Sequence, residues 1–238
     1  MQFISPPLNT IPCEVMLDSG ESFHALKVLR FRKNDKIKLF DGRFKYNGFI
    51  KDIIDERVIV YVTEKREDNI KKHRVNLYLP FIDKRDFEEV VRCCSEMGVD
   101  SFFPLITRYT QLDKNIRSSD INRLERIIVA AVKQSESASF SRIEKSVSFQ
   151  ELASSGKKVI CGFIGGLKRM SIKKAIEVMG DEINIMIGPE GGFSEDEKRI
   201  IDERFFTVKL SNNILTSKTA AISLVASVMY HISNEDIF

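Results

Sequence analysis

Apolar residues recur in two different rhythms along this chain, and the change falls near residue 70. In the first stretch they come in short runs separated by turn-forming residues. Gln2 to Ile4 and Glu14 to Leu17 read as short strands split by prolines, and Ser22 to Leu29 as a short helix that directs Leu26 and Leu29 toward a core. Lys36 to Phe40, Phe44 to Ile53 and Val58 to Val62 follow as strands, with Asp41-Gly42 and Asp55-Glu56 as hairpin turns between them. Many short strands joined by tight turns predict a small barrel. Thr63 to His73 is polar, charged and free of apolar periodicity, so it reads as a linker.

Beyond it strands and helices alternate, the pattern of an α/β domain built on a mostly parallel sheet. Val75 to Leu79 and Ser101 to Ile106 read as strands on either side of a helix, Arg85 to Met97, that gathers Phe87, Val90, Val91 and Cys94 on one face and stops at Gly98. Asp120 to Gln134 is a second helix, capped by Ser119 or Asp120. A strand from Lys158 to Ile164 ends in Gly165-Gly166, and a helix from Ser171 to Val178 leads on. The expected division is therefore residues 1–70 and 71–238.

The most informative run starts at Ile183. An apolar segment to Ile187 suits a buried parallel strand, and Gly188, Pro189, Gly191 and Gly192 then force a turn. Ser194 and Glu197 have the spacing of a capping box, which opens a helix to about Arg204. Strand, glycine-rich turn and helix in succession expose backbone amides at the carboxyl end of a sheet. With one acid, Glu190, and no Lys-Ser or Lys-Thr pair, the turn is neither a P-loop nor a dinucleotide fingerprint. It suits a ligand with hydroxyls or amines that needs close backbone approach, or it is a tight turn without a ligand. Phe206 to Ser211 reads as a further strand, Asn212-Asn213 as a turn, and Ile214 to His231 as a long helix of small and apolar residues.

Composition narrows the class of protein. The 238 residues, 43% apolar and 30% charged, are those of an ordinary globular protein with a real core. No apolar run reaches the roughly 18 residues of a membrane span, and the start lacks a secretion signal, so a cytoplasmic location is expected. Cys13, Cys93, Cys94 and Cys161 form no CxxC pair, and His24, His73 and His231 are scattered, so structural thiols and no metal are expected. The net charge of +3 says little, but its distribution says more: from His24 to Lys51 nine basic residues face two acids, Asp35 and Asp41. That is either an electrostatic footprint for RNA phosphate or a solvated charged face.

Taken in order, these motifs resemble the SPOUT-class bacterial family of 16S ribosomal RNA uracil-N3 methyltransferases. The family's IGPEGG turn is intact at Ile187 to Gly192, and its L-G-x-x-I-L-R-T-E-T-A turn is matched in part by Leu210 to Ala220. Its H-x-x-x-V-L-R and F-D-G patterns are met by His24, Val28-Leu29-Arg30 and Phe40-Asp41-Gly42. Glu88, Glu96-Met-Gly-Val99, Pro104, Arg108, Ala130-Ala131 and Gln134 continue the match along nearly the whole chain. The resemblance implies a PUA-like RNA-binding β-barrel followed by a SPOUT α/β domain with a trefoil knot. It also implies S-adenosylmethionine held by three turns, with Phe163, Gly165, Ile187, Gly188, Pro189, Glu190, Gly191, Leu210, Ile214, Leu215 and Thr219 as its contacts. His24, Lys27, Arg30, Arg32 and Lys33 would meet RNA, the small ribosomal subunit would be the partner, and the protein would be a homodimer away from membranes. The small-residue face of Ala220, Ser223, Ala226 and Ser227 would permit dimer packing and would equally suit an ordinary core.

The chain departs from the family where catalysis is expected. The Arg and Glu of the last motif are Thr216 and Lys218, the Lys before E-L-G-V is Cys93, and an Arg after the A-x-x-Q glutamine is Ser137. Thr216 cannot replace a bidentate cation. Arg108 and Lys218 are the expected catalytic cations, with Arg142 able to serve the same end. Alternatives stay open: a catalytically silent RNA-binding protein of this fold, or a methyltransferase for another RNA position.

Overall fold

The computed structural model describes residues 1–67, 71–110, 118–137, 139–163, 165–166 and 169–233. The chain forms two compact units, Met1–Ile70 with Val132–Phe140, and Lys71–Ala131 with Ser141–Phe238.

The first unit holds a five-stranded sheet: β1 (Phe3–Ile4), β2 (Cys13–Met16), β3 (Lys36–Phe40), β4 (Phe44–Ile54) and β5 (Arg57–Glu67), in the order β1-β3-β4-β5-β2. Alternation places Ile37, Leu39, Ile50, Val58, Val60 and Val62 in one core with Phe3 and Leu17. Both expected hairpin turns form, with positive φ at Gly42, Asp55 and Glu56. The short helix starts earlier than its sequence suggests. Asp18 caps α1 (Ser19–Phe23) by accepting from Glu21 N, and His24–Val28 continue as a π-helical turn.

The expected linker is corrected in its first half. Thr63 to Glu67 lacks apolar periodicity, yet it extends β5 along β4, with Phe44 opposite Glu67 and Asn47 opposite Glu64. Its polar side chains face water and pair across the strands, Arg43 with Glu67 at 3.0 Å and Lys65 over the Phe44 ring at 3.8 Å. Residues 68–70, within the expected linker, lie outside the described residues.

In the second unit seven strands are all paired in parallel: β6 (Arg74–Pro80), β7 (Ser101–Ile106), β8 (Arg142–Ile143), β9 (Val147–Ser148), β10 (Val159–Gly162), β11 (Glu182–Ile187) and β12 (Phe206–Val208). The order is β12-β10-β11-β6-β7-β8, with β9 also on β7. Around it lie α2 (Lys84–Met97), α3 (Ser118–Ser135), α4 (Phe149–Ser154), α5 (Ile172–Glu177), α6 (Glu195–Arg204) and α7 (Ser217–Ser233). Gly98 ends α2 with φ 95°, the left-handed geometry that a residue with a Cβ rarely adopts. Strands β8 and β9 and helix α4 have no counterpart in the sequence reading, because two-residue strands carry too few side chains to show a period. The last helix begins at Ser217 rather than Ile214, and β12 stops at Val208 rather than Ser211.

Candidate functional site

Register brings the three expected turns together. Gly162 at the end of β10 lies opposite Ile187 of β11 and opposite Val208 of β12. The segments after these strands therefore leave one sheet edge side by side, at the carboxyl ends where α/β sheets bind ligands. A Cβ on Gly162 would stand 3.1 Å from Ile187 Cδ1, 3.4 Å from Leu224 Cδ2 and 3.6 Å from Leu210 Cδ1. The end of β10 thus meets apolar side chains that open the central turn, Ile187, and the third, Leu210.

The central turn, Gly188 to Gly192, is closed by Gly192 N donating to Pro189 O at 2.9 Å. Gly192 has φ 73°, and a Cβ on Gly188 would meet the Phe193 ring at 2.7 Å. Pro189 is buried, while Glu190 and Gly191 are exposed at the rim. After the turn Ser194 and Glu197 complete the expected capping box of α6. In the first turn Phe163 packs edge-on to Phe193 at 5.9 Å, and Gly165 is exposed beside it. Residue 164 of that turn lies outside the described residues. In the third turn Leu210 and Leu215 are half-buried, but Ile214 is 90% exposed. Ser217 Oγ donates to Gly188 O at 2.7 Å and so ties the start of α7 to the central turn. Thr216 caps the same helix by accepting from Thr219 N at 3.3 Å, and Thr219 stays exposed.

The two expected cations occupy different settings. Lys218 Nζ sits 2.7 Å from Asp86 Oδ1 and 3.1 Å from Glu89 Oε2, both on α2. These hydrogen bonds, the one to Asp86 foremost, raise its pKa above the ordinary lysine value, so it is a committed cation and not a base. Arg108 follows β7 at the same sheet edge as the turns. Its backbone N donates to the buried Glu197 carboxylate at 2.8 Å, and its guanidinium has no carboxylate partner among the described residues. A Cβ on Gly191 would lie 3.4 Å from Tyr109 Cβ, so the segment carrying Arg108 runs against the central turn. A groove of about 590 Å³ opens there, with Arg108, Tyr109, Gln150 and Glu195 in its walls. Arg142 starts β8 and is exposed.

Sequence reasoning missed Ser217, Tyr109 and the Glu197–Arg108 bond. A capping box signals Glu197 as a local residue only; nothing in the sequence marks the distant amide it also holds.

The basic stretch of the first unit is largely matched by acids from elsewhere in that unit. Lys27 pairs with Glu56 at 2.8 Å, Lys33 with Asp52 at 3.4 Å, Lys38 with Glu136 at 2.5 Å and Arg43 with Glu67 at 3.0 Å. Lys51 pairs with Glu14. Arg30, with φ 58°, and Arg32 are exposed and have no carboxylate partner among the described residues. His24 is half-buried, 5.9 Å from the Phe3 ring, with Nδ1 3.4 Å from Lys133 Nζ.

Comparison with known proteins agrees with this architecture. The chain is 28% identical to the Ribosomal RNA small subunit methyltransferase E of Rickettsia conorii, over 90% of this chain and 89% of that one. It is 25% identical to the protein of the same name from Aquifex aeolicus, over 90% and 93%. The structure of a Ribosomal RNA small subunit methyltransferase E from Neisseria gonorrhoeae, bound to S-adenosylmethionine, superposes with a TM-score of 0.78 at 23% identity and covers 97% of both chains, which shows a shared fold. The RNA methyltransferase PUA domain is matched by residues 17–62. The RNA methyltransferase domain is matched by residues 69–229, and the chain belongs to that family of RNA methyltransferases.

Proposed function

We propose that this protein transfers the methyl group of S-adenosylmethionine to N3 of a uridine in 16S ribosomal RNA of the small ribosomal subunit. The observation that carries this reading is the register of β10, β11 and β12, which sets three turns side by side on one sheet edge. The names of the relatives support the coarser part of this reading, methylation of small-subunit ribosomal RNA.

The residues present fit the cofactor. A side chain at Gly188 would strike the Phe193 ring and one at Gly162 would crowd Ile187, while Ile187, Leu210 and Leu215 would supply apolar walls for an adenine ring. Backbone groups of Phe163, Gly165, Glu190 and Gly191 would form the rim over the buried Pro189, with the exposed Ile214 and Thr219 at its outer side. The cofactor supplies a methyl group activated on a sulfonium. Uridine N3 has to give its imide proton to solvent or a base before or as it takes the methyl, with a neutral thioether as the leaving group. A nearby cation would stabilise the negative charge that develops on the uracil before transfer is complete. Arg108 is the better placed of the two cations, since Lys218 already serves Asp86 and Glu89. The first unit would meet RNA through Arg30 and Arg32, with His24, Lys27 and Lys33 nearby in sequence. The reading includes the trefoil knot, a homodimer and a cytoplasmic site of action.

A second reading, a silent RNA-binding protein of this fold, is favoured by one observation. The cation in the last motif, Lys218, is already neutralised by two carboxylates. Calorimetric titration with S-adenosylmethionine, followed by transfer of labelled methyl to small subunits lacking the modification, separates the two. The first reading expects about one equivalent bound per chain and one methyl accepted at a uridine. A folded protein that neither binds nor transfers supports the second.

A further inference from the structure

We propose that Tyr109 is the platform on which the target uracil stacks, an inference that rests on the methyl-transfer reading and deepens it. Tyr109 is 48% exposed in the wall of the groove of about 590 Å³, and its hydroxyl has no partner among the described residues. That volume lies in the range of small-ligand sites, roughly 300–1,000 Å³. Tyr109 also sits where a target base has to arrive, because its Cβ lies against Gly191 of the central turn.

The backbone beneath the ring is held from several sides. Thr107 N donates to Thr110 Oγ1 at 2.8 Å, the two threonine hydroxyls lie 2.9 Å apart, and Thr110 N donates to Thr107 O at 3.3 Å. Glu197 takes the Arg108 amide at 2.8 Å and is itself only 4% exposed. An ordered backbone that leaves an aromatic ring and a guanidinium in solvent has lost chain entropy without burying either group. Such an arrangement fits a preorganised contact for an incoming partner. Unstacked RNA bases bind on aromatic faces, and the adjacent Arg108 cation suits a phosphate or the uracil oxygens. Of the three acids in the same groove, Glu195 and Asp196 are paired with Lys198 at 2.7 Å and Arg199 at 3.6 Å, and Glu197 accepts from the Arg108 and Ser194 amides.

The test exploits the absence of tryptophan from this chain. Tyr109→Trp introduces a single tryptophan, excited selectively at the red edge of its absorption and titrated with a uridine hexanucleotide and with the same backbone carrying abasic sites. Saturable quenching by the uridine oligomer, absent with the abasic one, is the expected result. Tyr109→Ala should weaken the oligomer's binding roughly ten- to a hundred-fold, as loss of a stacked base does, whereas Tyr109→Phe should restore it. An unperturbed tryptophan, parental affinity in Tyr109→Ala, or failure of Tyr109→Phe to restore binding overturns the proposal. Calorimetry with S-adenosylmethionine keeps the two failures apart. Cofactor binding without quenching overturns the platform and leaves the methyl-transfer reading standing. Quenching without cofactor binding overturns the methyl-transfer reading, and with it the target-uracil role, leaving Tyr109 a base-stacking contact of a silent RNA-binding protein.

Discussion

Gly188 shows how closely single residues constrain the site. A methyl group there would enter the Phe193 ring, which is 3% exposed and packed against Phe149 and Phe163. Gly188→Ala should therefore cost about 1–3 kcal/mol and abolish binding of S-adenosylmethionine, measured by thermal melting and calorimetry. Lys218→Ala separates charge from scaffold. The ion pairs that Lys218 makes are partly exposed, so the melting temperature should change little. If Lys218 stabilises the uracil anion, the transfer rate should fall; an unchanged rate assigns that part to Arg108. The thiols of Cys94 and Cys161 are pushed well up by burial, and they should stay unreactive to thiol reagents until the protein unfolds.

Among elements, the hairpin between β3 and β4 has a definite pH signature. Burial would raise the pKa of Asp41, but hydrogen bonds from Phe44 N, the Tyr46 hydroxyl and Arg43 N outweigh it and hold the carboxyl below its ordinary 3.8. A depressed carboxylate pKa contributes stability that is present above pH 3.8 and lost as the pH falls through the lower folded value. Acid titration of parental protein and Asp41→Asn should show this loss in the parent and a flatter acid limb in the variant. Helices and strands of useful length were legible because their signals are local. The alternation in Val58–Val62, the apolar face of α2 and the Ser194–Glu197 box all lie within one turn or a few residues. The extension of β5 through Glu67 was not, since its pairing depends on a partner strand and not on its own hydrophobicity.

At the scale of the molecule, the first unit is not a contiguous piece of chain. Glu21 and Lys133 form an ion pair at 2.7 Å, with side chains 9% and 11% exposed, and Gln2 Nε2 donates to Val132 O and Ser137 O. Lys133→Met leaves Glu21 buried without its partner and should cost about 3–5 kcal/mol, read from urea unfolding. A fragment ending at residue 70 lacks Lys133 and the two carbonyls, and should unfold at lower urea than the first unit does in the whole chain.

The sequence by itself determined the two rhythms of the chain, the central strand–turn–helix and the family its motifs resemble. Periodicity, caps and glycine turns act over a few residues, so one dimension is enough to show them. Only the tertiary structure decided which groups meet. It set Gly162 between Ile187 and Val208, spent Lys218 on Asp86 and Glu89, and matched much of the basic stretch with distant acids. It also laid Tyr109 against Gly191 and gave Glu197 the Arg108 amide to hold. These contacts join residues far apart in the chain, and the free energy that selects them comes from burial and pairing across strands, which no local pattern records.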